Sequence, residues 1–254
     1  MALLVLLWLV PGIPVSRAAD APPPAAKTIL STDFSTADVK SYTNGEAIGL
    51  QGDPVAMMQA NIGIVGGGLG HWCADPDADN FRVQVTETGG KRAVELAGGA
   101  VSKTLPESLA RKHNLKIEGS VVFTPLASSQ ERTDFFIILT NARWFTTGPS
   151  NIAVLTLSPS LSLKFQGGNV PAKLTAGTRY RVDFAVDFTD PVQHTWQFSL
   201  YEGNDTAKPL FASDKLPTRN PTGPPTFFAL HQMARTFGSS PLVRIHQIKL
   251  SSPD

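Results

Sequence analysis

The sequence has a single cysteine, little charge and no excess of basic residues. Because Cys73 is the only cysteine among 254 residues, no disulfide can form within the chain, and burial has to hold the core. Charged residues make up 17% of the chain, and 22 Lys and Arg against 21 Asp and Glu give a formal net charge of +1. Without a basic excess or a run of Lys and Arg, we expect no nucleic-acid partner.

Hydrophobic runs long enough to cross a membrane are also missing. The apolar run at residues 2–10 is shorter than the roughly 18 residues that a membrane helix needs, and Pro11 and Gly12 follow it. With small side chains at Ser16 and Ala18, this N-terminus is typical of a cleavable export signal; the alternative is a buried N-terminal helix. We therefore expect a secreted, periplasmic or extracellular protein, without membrane insertion once the signal is removed.

Glycine and proline are abundant, with 21 and 20 residues, and short stretches alternate between apolar and polar residues. The alternation is clearest at residues 179–188, where every second side chain is Tyr, Val or Phe and the residues between include Arg181 and Asp183. Residues 135–139 and 152–157 are apolar on both faces and are expected at the centre of a sheet. The pattern predicts an all-β protein, an antiparallel two-sheet β-sandwich (jelly roll) with at most one or two short helices.

Three other segments have weaker patterns. Residues 28–34 are predicted as the first strand, and residues 108–114 have a short helical pattern. Residues 41–80 are Gly-rich and weakly periodic, so we predict a long irregular connection there. The chain would then divide into a signal peptide, a Pro- and Ala-rich linker and a β-sandwich domain, at residues 1–18, 19–27 and 28–254.

Alternate carboxylates lie in an acidic turn after the Gly-rich stretch. Oxygen ligands at this spacing can surround one Ca²⁺ ion, and the candidate ligands are Asp75, Asp77, Asp79 and Asn80. The turn departs from the EF-hand pattern because Thr86 stands where a bidentate Glu is needed. Two interpretations stay open, a Ca²⁺ site and a solvated acidic turn, and no other cofactor is expected.

Two tryptophans are predicted in loops, where a ring can stack on the apolar face of a sugar. Trp72 follows the Gly-rich stretch, and Trp144 follows a predicted strand with Asn141 and Arg143 beside it. Such neighbours suit a sugar, which has apolar CH faces and a rim of hydroxyl groups. Arg181, on the polar face of the clearest strand, completes the candidate ligand-binding residues. The alternative is that both rings fill the core.

No catalytic residue is predicted. Glycosidases need two carboxylates about 5 to 10 Å apart, and no E-x-D-x-x-E spacing occurs among the glutamates. Asp183 and Asp187 share one strand face but lie about 13 Å apart by strand rise, and Arg181 is expected to neutralise Asp183. Whether the protein is an enzyme is left open.

The C-terminal half carries a recognisable order of strands. It has a G-x-x-Y-x-V segment at residues 177–182, a W-x-F-x-L-Y segment at residues 196–201 and a closing strand at residues 243–250. This pattern resembles the concanavalin A-like lectin/glucanase superfamily in its laminin-G-like form. The resemblance implies a jelly roll, often with sugar binding and sometimes with structural calcium. It also implies that the first strand, near Ile29, pairs with the last, near Ile245.

Two departures from that family bear on function. His246 and Gln247 stand in the last strand in place of the family's common acidic residue, and the paired acids of sandwich hydrolases are missing. We expect Arg244 and His246 at an exposed edge of a sheet; the alternative is that they line a polar face of a sheet.

Three functions fit the sequence. The first is a non-catalytic secreted module that binds carbohydrate, a glycan or polysaccharide, or another extracellular ligand. The alternatives are a polysaccharide-active enzyme, lyase or hydrolase, on a jelly-roll scaffold, and a structural or interaction sandwich without a small ligand. Fold analogy alone cannot choose among these three.

Overall fold

The computed structural model describes residues 26–62, 82–110, 115–127, 134–141, 151–190, 192–203, 207–219, 224–233 and 240–253. These ranges contain one helix of four residues, α1 (Glu107–Ala110), and eighteen strands. In chain order the strands are β1 (Lys27–Thr32), β2 (Ser41–Tyr42), β3 (Ala47–Ile48), β4 (Met58–Ile62), β5 (Arg82–Thr88), β6 (Lys91–Ala97), β7 (Gly99–Thr104), β8 (Lys116–Pro125), β9 (Asp134–Thr140), β10 (Asn151–Leu157), β11 (Ser162–Phe165), β12 (Gly168–Lys173), β13 (Tyr180–Asp187), β14 (Thr195–Glu202), β15 (Phe211–Ala212), β16 (Leu216–Pro217), β17 (Phe227–Met233) and β18 (Val243–Ser252).

The strands form two antiparallel sheets. A ten-stranded sheet has the order β15-β14-β13-β8-β18-β6-β5-β2, with β1 also paired to β18 and β16 to β14. An eight-stranded sheet has the order β12-β11-β10-β9-β17-β7-β4-β3. The predicted all-β, two-sheet sandwich is therefore confirmed.

The first and last strands of the sandwich pair with each other, as predicted, but further along β18 than expected. Leu30 lies opposite Leu250 and Thr32 opposite Ile248. Ile245 instead lies between Val94 of β6 and Phe123 of β8. Because β6 occupies that edge of β18, β1 pairs with the C-terminal half of the strand.

The main core lies between the sheets and is built from the alternating apolar positions. Phe184 of β13 stacks on Phe228 of β17, with ring centroids 6.1 Å apart, and so joins the two sheets. Gly119 of β8 makes room for this ring, because a Cβ at that position would lie 2.2 Å from Phe184 Cζ. In β14, Trp196 and Phe198 are buried and stacked at 5.7 Å. The predicted inward face of residues 179–188 is therefore correct.

The two segments that are apolar on both faces lie centrally, as predicted. β9 and β10 are neighbours inside the eight-stranded sheet and are almost entirely buried. On the face of this sheet away from the main core they contribute to a second apolar cluster, which consists of Ala100, Phe136, Ile138, Val154 and Ala229.

The predicted irregular connection at residues 41–80 is wrong for its first part. Residues 41–62 contain β2, β3 and β4, and β4 pairs with β7, which the sequence pattern did not predict. β2 and β3 have two residues each and lie at sheet edges, so they are too short to show an alternating pattern. Residues 63–80 lie outside the described ranges. The predicted helical segment at residues 108–114 overlaps α1.

Candidate functional site

The outward side chains of four strands in the ten-stranded sheet form a set of polar groups on one surface. Antiparallel register places them in two rows that run across β14, β13, β8 and β18. One row is Ser199, Asp183, Ser120 and Lys249, and the other is Gln197, Ala185, Glu118 and Ser251. The residues next to them along each strand point into the core. Because successive side chains alternate between the two faces of a strand, all eight side chains point outward.

These two rows line a shallow depression of about 400 Å³, which we call the outer-face trough. Small residues, namely Ser120, Ala185, Ser199 and Ser251, alternate in these rows with the longer polar side chains of Glu118, Asp183, Gln197 and Lys249. A second depression of about 230 Å³ shares Glu118, Ala185 and Gln197 with it and extends toward Lys116 and Asp187. A ligand on this face can therefore meet hydrogen-bond donors and acceptors on all four strands.

Arg181 lies beside the trough and joins two of its neighbours. Its Nη2 donates a hydrogen bond of 2.7 Å to Asp183 Oδ2. Its guanidinium also lies over the ring of Tyr201, 4.6 Å from the ring centroid. The expected neutralisation of Asp183 is therefore observed. The ion pair and the stacking fix the orientation of Arg181, whose guanidinium covers one face of the Tyr201 ring.

Asp187 carries a fixed negative charge at the other end of the same face. Burial alone would raise the pKa of its carboxyl, but hydrogen bonds from Thr189 and the charge of Lys116 bring it below the ordinary value of 3.8. Lys116 Nζ lies 3.7 Å from Asp187 Oδ2. Asp183 and Asp187 thus each have a cationic partner of their own.

Arg244 and His246 are not at an exposed edge, and that prediction is wrong. Their strand, β18, lies inside the ten-stranded sheet between β8 and the strands β6 and β1. A register shift between Ile245 and Gln247 places His246 in a β-bulge. Arg244 pairs with Glu95 at 2.6 Å. The polar composition of this segment favoured a sheet edge. Pairing of β18 with other strands on both of its sides places the segment inside the sheet instead.

Burial and a cationic environment control the charge of His246. The side chain is half-buried, and its Nε2 lies 2.9 Å from Thr124 Oγ1. Burial, followed by the positive charges of Arg179, Arg244 and Lys91, lowers the pKa of His246 to about 4. The imidazole is therefore neutral at pH 7 and serves as a hydrogen-bonding group among cations.

The other predicted site residues do not join this face within the described ranges. Asn141 follows β9 at the end of a strand in the eight-stranded sheet and is half-buried, so it lies on a different sheet from Arg181. The remaining candidates lie outside the described residues and stay predictions: Trp72, Arg143, Trp144, and the calcium ligands Asp75, Asp77, Asp79 and Asn80.

Among the described side chains, no group of three or more His, Cys, Asp or Glu is arranged to hold a metal ion. None of the helical structure in those same ranges is long and apolar enough to span a bilayer.

Comparisons with known proteins establish the class of fold. No family model matches the sequence, and no curated protein matches it. The endo-1,3-β-glucanase from Streptomyces sioyaensis is similar in structure, with a TM-score of 0.52, 10% identity and coverage of 92% of this chain and 99% of that chain. The chain therefore shares the two-sheet β-sandwich fold of that enzyme.

Two further solved structures match at lower TM-scores. Domain 4 of AbnA, an extracellular GH43 arabinanase from Geobacillus stearothermophilus solved with arabinotriose, gives a TM-score of 0.46 at 15% identity, over 89% of this chain and 93% of that chain. The CBM2 module of the evolved Dit of Lactobacillus casei BL23 phage J-1 gives 0.48 at 10% identity, over 89% and 96%.

Proposed function

We propose that this protein is a secreted, non-catalytic module that binds a carbohydrate along the outer-face trough. The observation that carries this proposal is the trough itself, a depression in which small residues alternate with longer polar side chains across four strands. The similar fold of an endo-1,3-β-glucanase supports a polysaccharide as the class of ligand, by analogy of fold. The export signal predicted at residues 1–18 supports an extracellular location.

The chemistry of the trough suits a ligand rich in hydroxyl groups. Each sugar hydroxyl both donates and accepts hydrogen bonds, and the trough offers both kinds of partner. Glu118 and Asp183 accept, Lys249 donates, and Gln197 does both. Tyr201, two residues from Ser199 on the same face of β14, adds an aromatic ring beside the trough. Because the trough lies on paired strands, little ordering is needed when the ligand binds.

A matched pair of glutamine variants tests this proposal. Gln197 lies in the trough, whereas Gln84 is on β5, near the opposite edge of the same sheet. We expect native affinity electrophoresis to show retardation of the protein by soluble β-1,3-glucan. Gln197→Ala should weaken this binding about three- to tenfold, the loss of one or two hydrogen bonds, and Gln84→Ala should not change it. Equal effects of the two variants, or no retardation by β-1,3-glucan, would contradict the proposal.

Hydrolysis of a polysaccharide is a second candidate, supported by one observation. Glu118 lies opposite Ala185, and Asp183 is two residues further along β13, so the two carboxylates are diagonal neighbours, about 7–8 Å apart in such a pair. This separation falls in the range used by glycosidases. Release of reducing ends from β-1,3-glucan that Glu118→Gln abolishes would favour this candidate over simple binding.

A further inference from the structure

A group of basic residues continues the outer face beyond one end of the trough. Its members, which we call the basic band, are Arg179, Arg181, Arg244 and His246. Arg179 and Arg181 flank Tyr180, which is buried opposite Phe123 of β8, so both arginines point outward on either side of it. Arg244 lies opposite Thr124 in the next strand, and His246 contacts Thr124. The four side chains thus surround Thr124 across three adjacent strands.

The charges in this band are only partly neutralised. Arg181 pairs with Asp183, and Arg244 pairs with Glu95. Within the part of the chain that the structure describes, Arg179 has no ion pair. The Nε groups of both Arg179 and Arg181 are buried without a hydrogen-bond partner there. The positive charge of Arg179 is therefore uncompensated on this face, which favours an anionic ligand that supplies oxygen acceptors.

The electrostatic field of the band is visible at His246. After burial, the largest influences that lower the pKa of His246 are the charges of Arg179, Arg244 and Lys91. A proton on the imidazole is therefore disfavoured by a positive potential, and the same potential attracts an anion. His246 contributes a neutral hydrogen-bonding group rather than a charge.

We infer that the basic band binds the acidic substituents, carboxylate or sulfate, of an acidic polysaccharide whose backbone lies in the outer-face trough; this inference rests on the proposed function. Ser120, in the trough, and Thr124, in the band, are four residues apart on β8, which is about 13 Å along the strand. A sugar chain lying along β8 therefore passes from one to the other. The guanidinium group of Arg179 carries N–H donors in a planar arrangement. Such a group can donate two parallel hydrogen bonds to the oxygens of a carboxylate or a sulfate.

The test uses three soluble polysaccharides with one backbone: unmodified, carboxymethylated and sulfated β-1,3-glucan. The full-length protein is compared with Arg179→Gln and with Arg219→Gln. Arg219 is a matched control, since it is exposed and its backbone N–H binds Ile152 of the eight-stranded sheet. Native affinity electrophoresis gives a dissociation constant for each combination, and the readout is the ratio of acidic to neutral affinity. The two charged glucans show whether carboxylate or sulfate is preferred.

We expect the unaltered protein to bind at least one charged glucan about tenfold more tightly than the neutral one. Arg179→Gln should remove most of this preference, Arg219→Gln should keep it, and added salt should weaken it. Equal affinity for neutral and charged glucans would overturn the inference and leave the proposed function standing. An equal loss in both variants would also overturn it, since the attraction would then be non-specific. Failure to bind any of the three would overturn the proposed function and the inference together.

Discussion

Single residues on the ten-stranded sheet set the local charge, and His246 shows how. Its strand is held between β8 and β6, so the bulge at this position cannot move the ring fully into water. Burial and the nearby cations Arg179, Arg244 and Lys91 lower the pKa of His246 from 6.5 to about 4. The folded state therefore binds a proton on this ring less readily than the unfolded state does.

This difference predicts a pH dependence of stability. Because the folded pKa is below the unfolded one, the free energy of unfolding should fall as the pH drops from 6.5 to about 4. His246→Gln keeps a partner for Thr124 but does not titrate, so its stability should fall less over this range. Backbone hydrogen bonds from Gln193 and Val192 lower the pKa of Asp190 below its ordinary value of 3.8. The contribution of Asp190 to stability is therefore lost only below the pH range in which His246 acts.

Urea unfolding of both proteins at several pH values between about 4 and 6.5 measures this effect. The partial exposure of the ring makes the difference smaller than its pKa shift alone would give. Parallel pH profiles for the two proteins would show that the His246 ring is not held in a cationic, partly buried environment.

At the scale of elements, β1 pairs with β18 and contributes buried side chains to the main core. Leu30 is fully buried opposite Leu250, whereas the adjacent Ser31 is exposed opposite Lys249. The two residues therefore separate the contribution of core packing from that of strand pairing, because their backbone groups belong to the same strand.

Leu30→Ala and Ser31→Ala form a matched pair of substitutions. Leu30→Ala should lower the free energy of unfolding by about 2–5 kcal/mol, through lost burial and the cavity left behind. Ser31→Ala should change it by no more than about 0.5 kcal/mol, since only an exposed hydroxyl is lost. Denaturant unfolding measures both values. Equal stabilities would mean that β1 does not contribute to the core.

The sequence predicted long strands with alternating burial well and short or polar strands poorly. β13 and β14 could be predicted because Tyr, Phe, Trp and Val recur at every second position. β7 and β12 could not, since one is Gly-Ala-Val-Ser-Lys-Thr and the other contains Pro171. In such strands the burial comes from neighbours in the sheet, and the local sequence carries little alternation.

Of the residues at the candidate site, the sequence predicted only Arg181. The others could not be predicted because the register of the sheet brings them together. Arg181 is predictable because it occupies the polar face of the clearest strand. Glu118, Gln197 and Lys249 lie on three other strands, far apart in sequence, and only the pairing of these strands brings them together. No local pattern in a single sequence specifies which strands become neighbours.

At the scale of the whole molecule, the two sheets present different surfaces. The eight-stranded sheet buries apolar side chains on both faces at its centre, including the second cluster around Phe136 and Ile138. The ten-stranded sheet buries one face and presents polar rows on the other. This division leaves the outer face of the ten-stranded sheet as the rigid polar surface on which we place the ligand.

Hydroxyl-radical footprinting with β-1,3-glucan tests that placement most directly. Tyr201 reports on the proposed face, and Leu50, which is 51% exposed between β3 and β4, reports on the edge of the other sheet. Saturating β-1,3-glucan should reduce the oxidation of Tyr201 and leave that of Leu50 unchanged. Protection of Leu50 with unchanged oxidation of Tyr201 would contradict binding on the outer face of the ten-stranded sheet.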